Sequence, residues 1–315
     1  MNLLPVAPAH QLAVQPDEHR WLIEGLWGEQ SVGLIGGEPK SFKSFLALDI
    51  AVAVASGKPC LRRFAVPRPG RVLLFAAEDA PHVVRRRLEG ITHVSGVALA
   101  QTDIQVITAP YLWLDDGDHV ARLYRTVENL RPRLLVLDPF VRLHNRDENA
   151  SSAIAPLLAL LRELQRDYHV SVIVVHHAKK ASARLRAGQA LRGTSEFHAW
   201  GDSMLYLRRH ADTLTIFAEH RAAVGIGPLH LRLRTDGDAL ALEIIDSQPM
   251  TASQEPASPS DRLHAILAAA AAPLGFSELQ KQCRLRKATL CQTLAELTRL
   301  GQVIKTPQGY ALPNM

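Results

Sequence analysis

Lys43 and Ser44 close the stretch GGEPKSFKS, which begins at Gly36. A phosphate-binding loop has the form Gly, four residues, then Gly-Lys-Ser/Thr. Gly37, Lys43 and Ser44 meet that form, while Phe42 stands where the second glycine belongs. The loop Gly37, Glu38, Pro39, Lys40, Ser41, Phe42, Lys43, Ser44 would surround phosphate oxygens with backbone N–H groups at a helix start. Lys43 could reach the β- and γ-phosphates of ATP, and the Ser44 hydroxyl could ligate Mg2+. Phe42 is compatible with this if its φ is negative and its ring turns away from the phosphates. The competing reading is an ordinary Gly-Pro turn before a helix.

Three more stretches offer matching chemistry. LLVLDPF places Asp138 at the end of an apolar run, where a carboxylate could hold the Mg2+ shell. FAAED places Glu78 and Asp79 at the end of another. Glu78 is the candidate general base for an attacking water. Asp79, just before Ala80-Pro81, suits a helix N-cap. VIVVHHAKK places His176 and His177 at a third end, where one side chain could sense the γ-phosphate. Neighbours on a strand face opposite ways, so one histidine of the pair is expected at the site.

These residues need a scaffold that brings strand ends together. Strands are expected over 32–37, 71–79, 104–109, 134–140 and 170–178, with helices over 43–56, 81–95, 118–130 and 150–168. Strands apolar on both faces that alternate with helices mean an α/β fold with a mostly parallel sheet covered on both sides. Ligands bind such a sheet at the carboxyl ends of its strands, where all four motifs fall. Further strands over 204–209, 213–220, 229–234 and 240–245 are close together in sequence and predict a hairpin-rich edge. Residues 246–260, DSQPMTASQEPASPS, read as a linker. The organisation is thus a tail over 1–17, a core over 18–245, the linker, and a small domain over 261–315.

Composition bounds the rest. The 315 residues include 47% hydrophobic and 21% charged residues, ordinary for a globular chain. No apolar run approaches the ~18 residues of a membrane helix, and the start carries no basic region of the kind that opens a signal peptide. Cys60, Cys283 and Cys291 have no metal-ligand spacing, and Cys283 and Cys291 read as small apolar residues on helices. A reducing cytoplasm and no membrane partner are expected. Of the net charge of +5, the last 55 residues carry +4, which points that segment toward an acidic partner, nucleic acid first.

The ordered set GGEPKSFKSFLALDIAVAVASG, AAEDA, LLVLDPFVRLHNRDENAS, VVHHAKK and RGTSEFHAWGD resembles the RepA-like ATPases. These form the RecA/DnaB-type group that includes the hexameric replication helicase of broad-host-range plasmids. The resemblance spans about residues 18–245. It implies a RecA-like P-loop core, homo-oligomeric rings or filaments, and ATP sites between subunits. By position it assigns Lys43 and Ser44 to phosphate and Mg2+, Glu78 to the base, Asp138 to the Walker B carboxylate and His177 to the γ-phosphate sensor. Lys179, Lys180, Arg184, Arg186 and Arg192 fall in the segment that corresponds to the loop facing nucleic acid, and a solvated basic loop is the alternative. Three features depart from the plasmid helicase: Phe42, Asp202 near the expected place of the arginine finger, and the added tail. AEHRAAVGIGPLHLRL instead resembles the DnaB arrangement, which makes Arg221 the finger candidate.

The tail reads as a winged helix. DRLHAILAAAAA, FSELQKQC with Ser277 as N-cap, and KATLCQTLAELTRLG with Gly301 as C-cap are three helices. Leu290, Leu294, Leu297 and Leu300 form the buried stripe of the third, and VIKTPQGYAL is a hairpin. In a DNA groove the third helix would present Arg286, Lys287, Thr289, Gln292 and Thr293, with Lys305 on the wing. Protein contact is the alternative use. Two functions follow, a translocating motor on DNA or a slow-turnover ATP-dependent switch or loader. The presence of both Glu78 and Asp138 argues against a nucleotide-binding scaffold without turnover.

Overall fold

The computed structural model describes residues 4, 6–12, 16, 20–177, 195–210, 213–245, 259–270, 272–283 and 287–313, with backbone alone at 177, 195, 210, 259, 261, 262, 269, 287 and 288. The chain divides into two compact units, Met1–Asp246 and Ser247–Met315.

In the first unit the elements run β1 (Trp21–Ile23), β2 (Trp27–Gly28), β3 (Val32–Gly37), α1 (Lys43–Ser56), β4 (Val72–Ala76), α2 (Pro81–Val94), β5 (Ile104–Val106) and α3 (Gly117–Leu130). They continue with β6 (Leu134–Asp138), α4 (Ser151–Tyr168), β7 (Ser171–His177), α5 (Ser195–Trp200), β8 (Ser203–His210), β9 (Thr213–His220), β10 (Ile226–Asp236) and β11 (Ala239–Ile245). Among the described residues, nine strands form one sheet in the order β11-β10-β9-β8-β3-β7-β6-β4-β5. The six from β8 to β5 are parallel, and β9, β10 and β11 extend the sheet antiparallel. β3 lies at the switch point: the chain leaves it across β7 and β6 to β4, and later returns on its other side as β8.

Strand periodicity builds the layers. Val72 and Leu74 of β4 face the side holding Leu46 and Ile50 of α1 and Leu88 of α2. Leu73 and Phe75 face the other side, with Val127 of α3 and Leu158 of α4. β7 repeats the division, Ile173 and Val175 on the first side, Val172 and Val174 on the second. Each large side chain so buried stabilises the fold by about 1.5–3 kcal/mol. α1 runs through apolar surroundings almost all round, from Leu46 to Val54. Its one buried acid beyond the loop, Asp49, is held by the Leu61 N–H at 2.8 Å and by Arg62.

The second unit holds α6 (Pro259–Ala269), α7 (Phe276–Cys283), α8 (Lys287–Arg299) and an antiparallel pair, β12 (Ile304–Thr306) with β13 (Gly309–Ala311). Leu263, Leu267, Leu279, Leu290, Leu294, Leu297 and Val303 form its core. Several expectations need correction here. Leu300 is exposed, because α8 ends at Arg299 and the stripe ends with it. Ser277 lies inside α7, and the Gly275 carbonyl accepts the first helical N–H groups instead. α6 begins at Pro259, inside the stretch expected as linker. Cys283 is buried as expected, but Cys291 is exposed. No helix among the described residues is long and apolar enough to cross a membrane.

Candidate functional site

The loop 37–44 joins β3 to α1 at the carboxyl edge of the parallel strands, here the upper edge. Glycines set its foundation. A Cβ on Gly33 would stand 1.7 Å from the Ser203 carbonyl oxygen, and one on Gly37 2.4 Å from that of Leu207. β3 and β8 therefore approach closely only because β3 carries glycine there, and the loop leaves the sheet at a fixed point.

Three candidate residues converge on this edge. Ser44 donates its hydroxyl to the Asp138 carboxylate, and Lys43 and Asp138 lie within each other's field. The Lys43 ammonium donates to the Glu38 carbonyl at 2.7 Å, and the Ser41 hydroxyl donates to the same oxygen at 2.7 Å. Burial pushes the Lys43 pKa down to about 8, against the fields of Asp138, Glu38 and Glu78. Burial likewise pushes the Asp138 carboxyl up to about 6, helped by Asp79 and Glu78 and opposed by Ser44 and Lys43. Two strand ends thus supply a buried cation and a buried acid whose charged forms are both penalised. A polyanion with a divalent cation would relieve both.

The residues fit such a ligand. Among the described residues no three His, Cys, Asp or Glu side chains gather to hold a metal ion. Mg2+ does not require that, since it takes one or two carboxylates with phosphate oxygens and water. Ser44 and Asp138 are hard oxygen donors in contact, and the N-terminus of α1 faces the loop.

Phe42 departs from expectation. Its φ is +64° and ψ 26°, the left-handed region, not the negative φ expected. The backbone therefore takes up the glycine-like conformation without glycine, at a cost of about 1–2 kcal/mol. Lys40 shares the strain at φ +62°. Asp79 also departs: the cap residue of α2 is Ala80, with no side-chain cap, and Asp79 forms an ion pair with Arg87 one helical face onward. Pro81 opens the helix as expected. Glu78 stands half-exposed with its Oε1 3.2 Å from Arg142 Nε.

Sequence reasoning assigned no role to Arg142, Arg87 or Arg209. Arg142 and Arg209 lie near strand ends and Arg87 within α2, and pairing across 64 positions, as for Arg142 and Glu78, leaves no spacing pattern. His176 is buried, stacked on Phe197 with centroids 4.5 Å apart, and its Nδ1 lies 3.7 Å from Glu148 Oε1. The backbone of His177 sits in register beside Gly37, while its side chain lies outside the described residues.

Arg221 is not gathered into this cluster. It follows β9, whose end pairs with the start of β8, so it occupies the opposite, lower edge of the sheet. There it lies 3.5 Å from Asp202 and donates to the Ala199 carbonyl. With Arg20, Trp21, Ser203 and His220 it lines a cavity of about 260 Å3.

Of the nucleic-acid candidates, Lys179, Lys180, Arg184, Arg186, Arg192 and Arg286 lie outside the described residues, as does the Lys287 side chain. Gln292 and Lys305 are exposed on α8 and β12. Thr289 is half-buried. Thr293 is buried, its hydroxyl donated to the Thr289 carbonyl at 2.8 Å, so it belongs to the core and not to a reading face.

Known proteins match this arrangement. A DnaB-like replicative helicase, solved in a study of its interactions with primase, superposes with a TM-score of 0.53 at 14% identity, over 68% of this chain and 57% of that one. The mostly parallel sheet covered by helices is therefore a RecA/DnaB-type fold. The DNA repair protein RadA of Synechocystis sp. (strain ATCC 27184 / PCC 6803 / Kazusa) is 25% identical over 201 residues, or 60% of this chain. The chain spans about a third, 34%, of that protein's length. The profile of the AAA domain matches residues 2–183, from before the phosphate loop to beyond β7. With more than half its length so matched, the chain belongs to the AAA domain family of P-loop ATPases.

Proposed function

We propose that this chain binds ATP with Mg2+ at the upper sheet edge, hydrolyses it within a homo-oligomer, and acts on DNA. The observation that carries the reading is the convergence of Lys43, Ser44 and Asp138, with Glu78 on the adjacent strand end. Mg2+ held by Ser44 and Asp138 would neutralise charge on the phosphate oxygens. Lys43 meets the β- and γ-phosphates. Glu78 takes a proton from the water that attacks the γ-phosphorus, and ADP leaves with the electron pair of the broken P–O bond. The backbone of His177 beside Gly37 supports that residue as the γ-phosphate sensor.

A ring, hexameric in the relatives it resembles, or a filament completes the site. Arg221 lies about four strand residues, ~13 Å, below the level of its own Gly37. It cannot serve its own loop, so as a finger it serves the site of a neighbouring copy. The names of the matched proteins, a DNA repair protein and a DnaB-like replicative helicase, support DNA as the partner. The finer reading is a replicative helicase of a plasmid, phage or other mobile element, with basic residues 179–192 and a winged-helix tail, Lys287, Gln292 and Lys305 among its contacts, facing DNA. Phe42 favours the second reading, a slow-turnover switch or loader, because its strained backbone occupies the position where the loop's form has a glycine for close backbone approach. Phosphate release measured with and without single- and double-stranded DNA, alongside strand displacement, separates the two. Displacement coupled to hydrolysis marks the motor, and DNA retention gated by ATP without displacement marks the switch.

A further inference from the structure

Phe42 pays a backbone penalty that glycine at the same φ avoids, so the side chain must return something. Its ring is half-buried against the α1 and α2 side of the sheet. Arg209, the penultimate residue of β8, lies over the ring at 5.8 Å. On its other flank the ring meets Phe45 edge-on, with centroids 6.0 Å apart. Phe45 in turn carries the Arg87 guanidinium at 5.3 Å. Arg87 ends the chain of contacts in its ion pair with Asp79, next to Glu78. Two cations flank a pair of rings, and each of these contacts is of the attractive cation–π or edge-to-face kind. The ladder runs from β8, across the phosphate loop, to the turn between β4 and α2.

We infer that Phe42 is a positioning residue: its ring, set between Arg209 and Phe45, holds the Glu78–Asp79 turn in register with the phosphate loop. The inference rests on the proposed hydrolytic reading only for its kinetic consequence, since the register itself exists without nucleotide. Glycine could shape the loop but could not span from β8 to α2. That explains why the loop accepts a strained phenylalanine instead of the residue its form prescribes.

The test uses the full chain carrying Phe42→Gly, Phe42→Tyr, Arg87→Met and the double variant Phe42→Gly/Arg87→Met. Amide hydrogen exchange is followed over residues 77–82 without nucleotide, read at Ala77, whose N–H donates to the Asp138 carbonyl at 2.7 Å. Phosphate release and the affinity for a fluorescent ATP analogue are measured beside it. Phe42→Gly removes no backbone requirement, so the folded loop and the analogue affinity are retained within about threefold. The expected result is at least tenfold faster exchange at 77–82 and a tenfold fall in kcat, a change of about 1.4 kcal/mol in the barrier. Arg87→Met gives the same defects, the double variant adds nothing to either, and Phe42→Tyr restores both. Exchange at 77–82 that Phe42→Gly leaves unchanged overturns the inference, whatever the kinetics. Defects that add in the double variant also overturn it, because the two residues then act separately. A wild-type protein that releases no phosphate sinks the hydrolytic reading, and the exchange result still decides the ladder.

Discussion

The two edges of the sheet treat charge in opposite ways. Along the lower edge, charges at three strand starts meet opposite partners. Arg71 before β4 meets Asp103 before β5 at 2.9 Å. Arg133 before β6 grips Glu29 before β3 with two guanidinium nitrogens, Nε at 3.1 Å. Asp202 before β8 accepts from Arg162 at 3.1 Å and from the Val32 N–H at 3.2 Å. The upper edge instead holds a lysine pushed to about 8 and a carboxyl pushed to about 6. Charges at the lower edge fasten strands to one another. Lys43 and Asp138 at the upper edge are instead buried at a cost, which a nucleotide and its metal would relieve. Buried ionisable groups held away from their ordinary pKa on one edge, against paired charges on the other, are how a fold marks a site.

The contrast breaks first at Lys43. Lys43→Ala should abolish nucleotide binding, because no other cation in the loop reaches the buried cluster. Lys43→Met should at the same time raise stability, by up to about 3 kcal/mol, the cost of a pKa held some two units low. The sign can be followed in pH. The unfolded lysine keeps its proton up to its ordinary value, so wild-type stability should rise as pH climbs from about 8 toward 10.5, and the rise should vanish in Lys43→Met. Denaturant midpoints across that range would decide it.

At the lower edge the effects reverse. Arg133→Ala leaves Glu29, only 5% exposed, without its principal partner. It should destabilise by about 3 kcal/mol while phosphate release per folded molecule is unchanged. A loss of activity without loss of stability would mean that the lower edge is not merely structural.

A smaller effect sharpens the account of the upper edge. Association with Mg2+ and ATP needs Asp138 ionised and Lys43 charged. The pH profile of kcat/KM should therefore fall below about 6, as Asp138 takes up a proton, and above about 8, as Lys43 loses one. Asp138→Asn should remove the acid limb and weaken dependence on Mg2+.

The smallest effect concerns the second unit. Removing residues 247–315 should leave basal phosphate release intact, since every catalytic candidate precedes them. It should weaken duplex binding. Lys305→Ala alone should lower affinity modestly and make its salt dependence shallower by about one ion. Equal duplex binding with and without the segment would assign it to protein contact.

What the sequence disclosed followed from period and spacing. Runs apolar on both faces marked β3, β4, β6 and β7, and their ends marked Lys43, Glu78, Asp138 and the histidine pair. What it hid was set by partners distant in the chain. The ring of Phe42 meets Arg209, 167 positions on, a contact that no local spacing announces. Asp79 had every local feature of a cap, yet Arg87 claims its carboxylate. Thr293 sits at a position that helical spacing shares between the groove face and the core, and packing chose the core. Local pattern sets where a side chain begins, and tertiary contact sets where it ends.

The central claim is that the upper edge is a hydrolytic ATP site with Glu78 as its base. Phosphate release by the wild type and by Glu78→Gln, each at saturating ATP with the bound nucleotide quantified, tests it most directly. The account predicts equal binding with release in the variant reduced at least about a hundredfold. Wild-type release by Glu78→Gln at matched occupancy would contradict it.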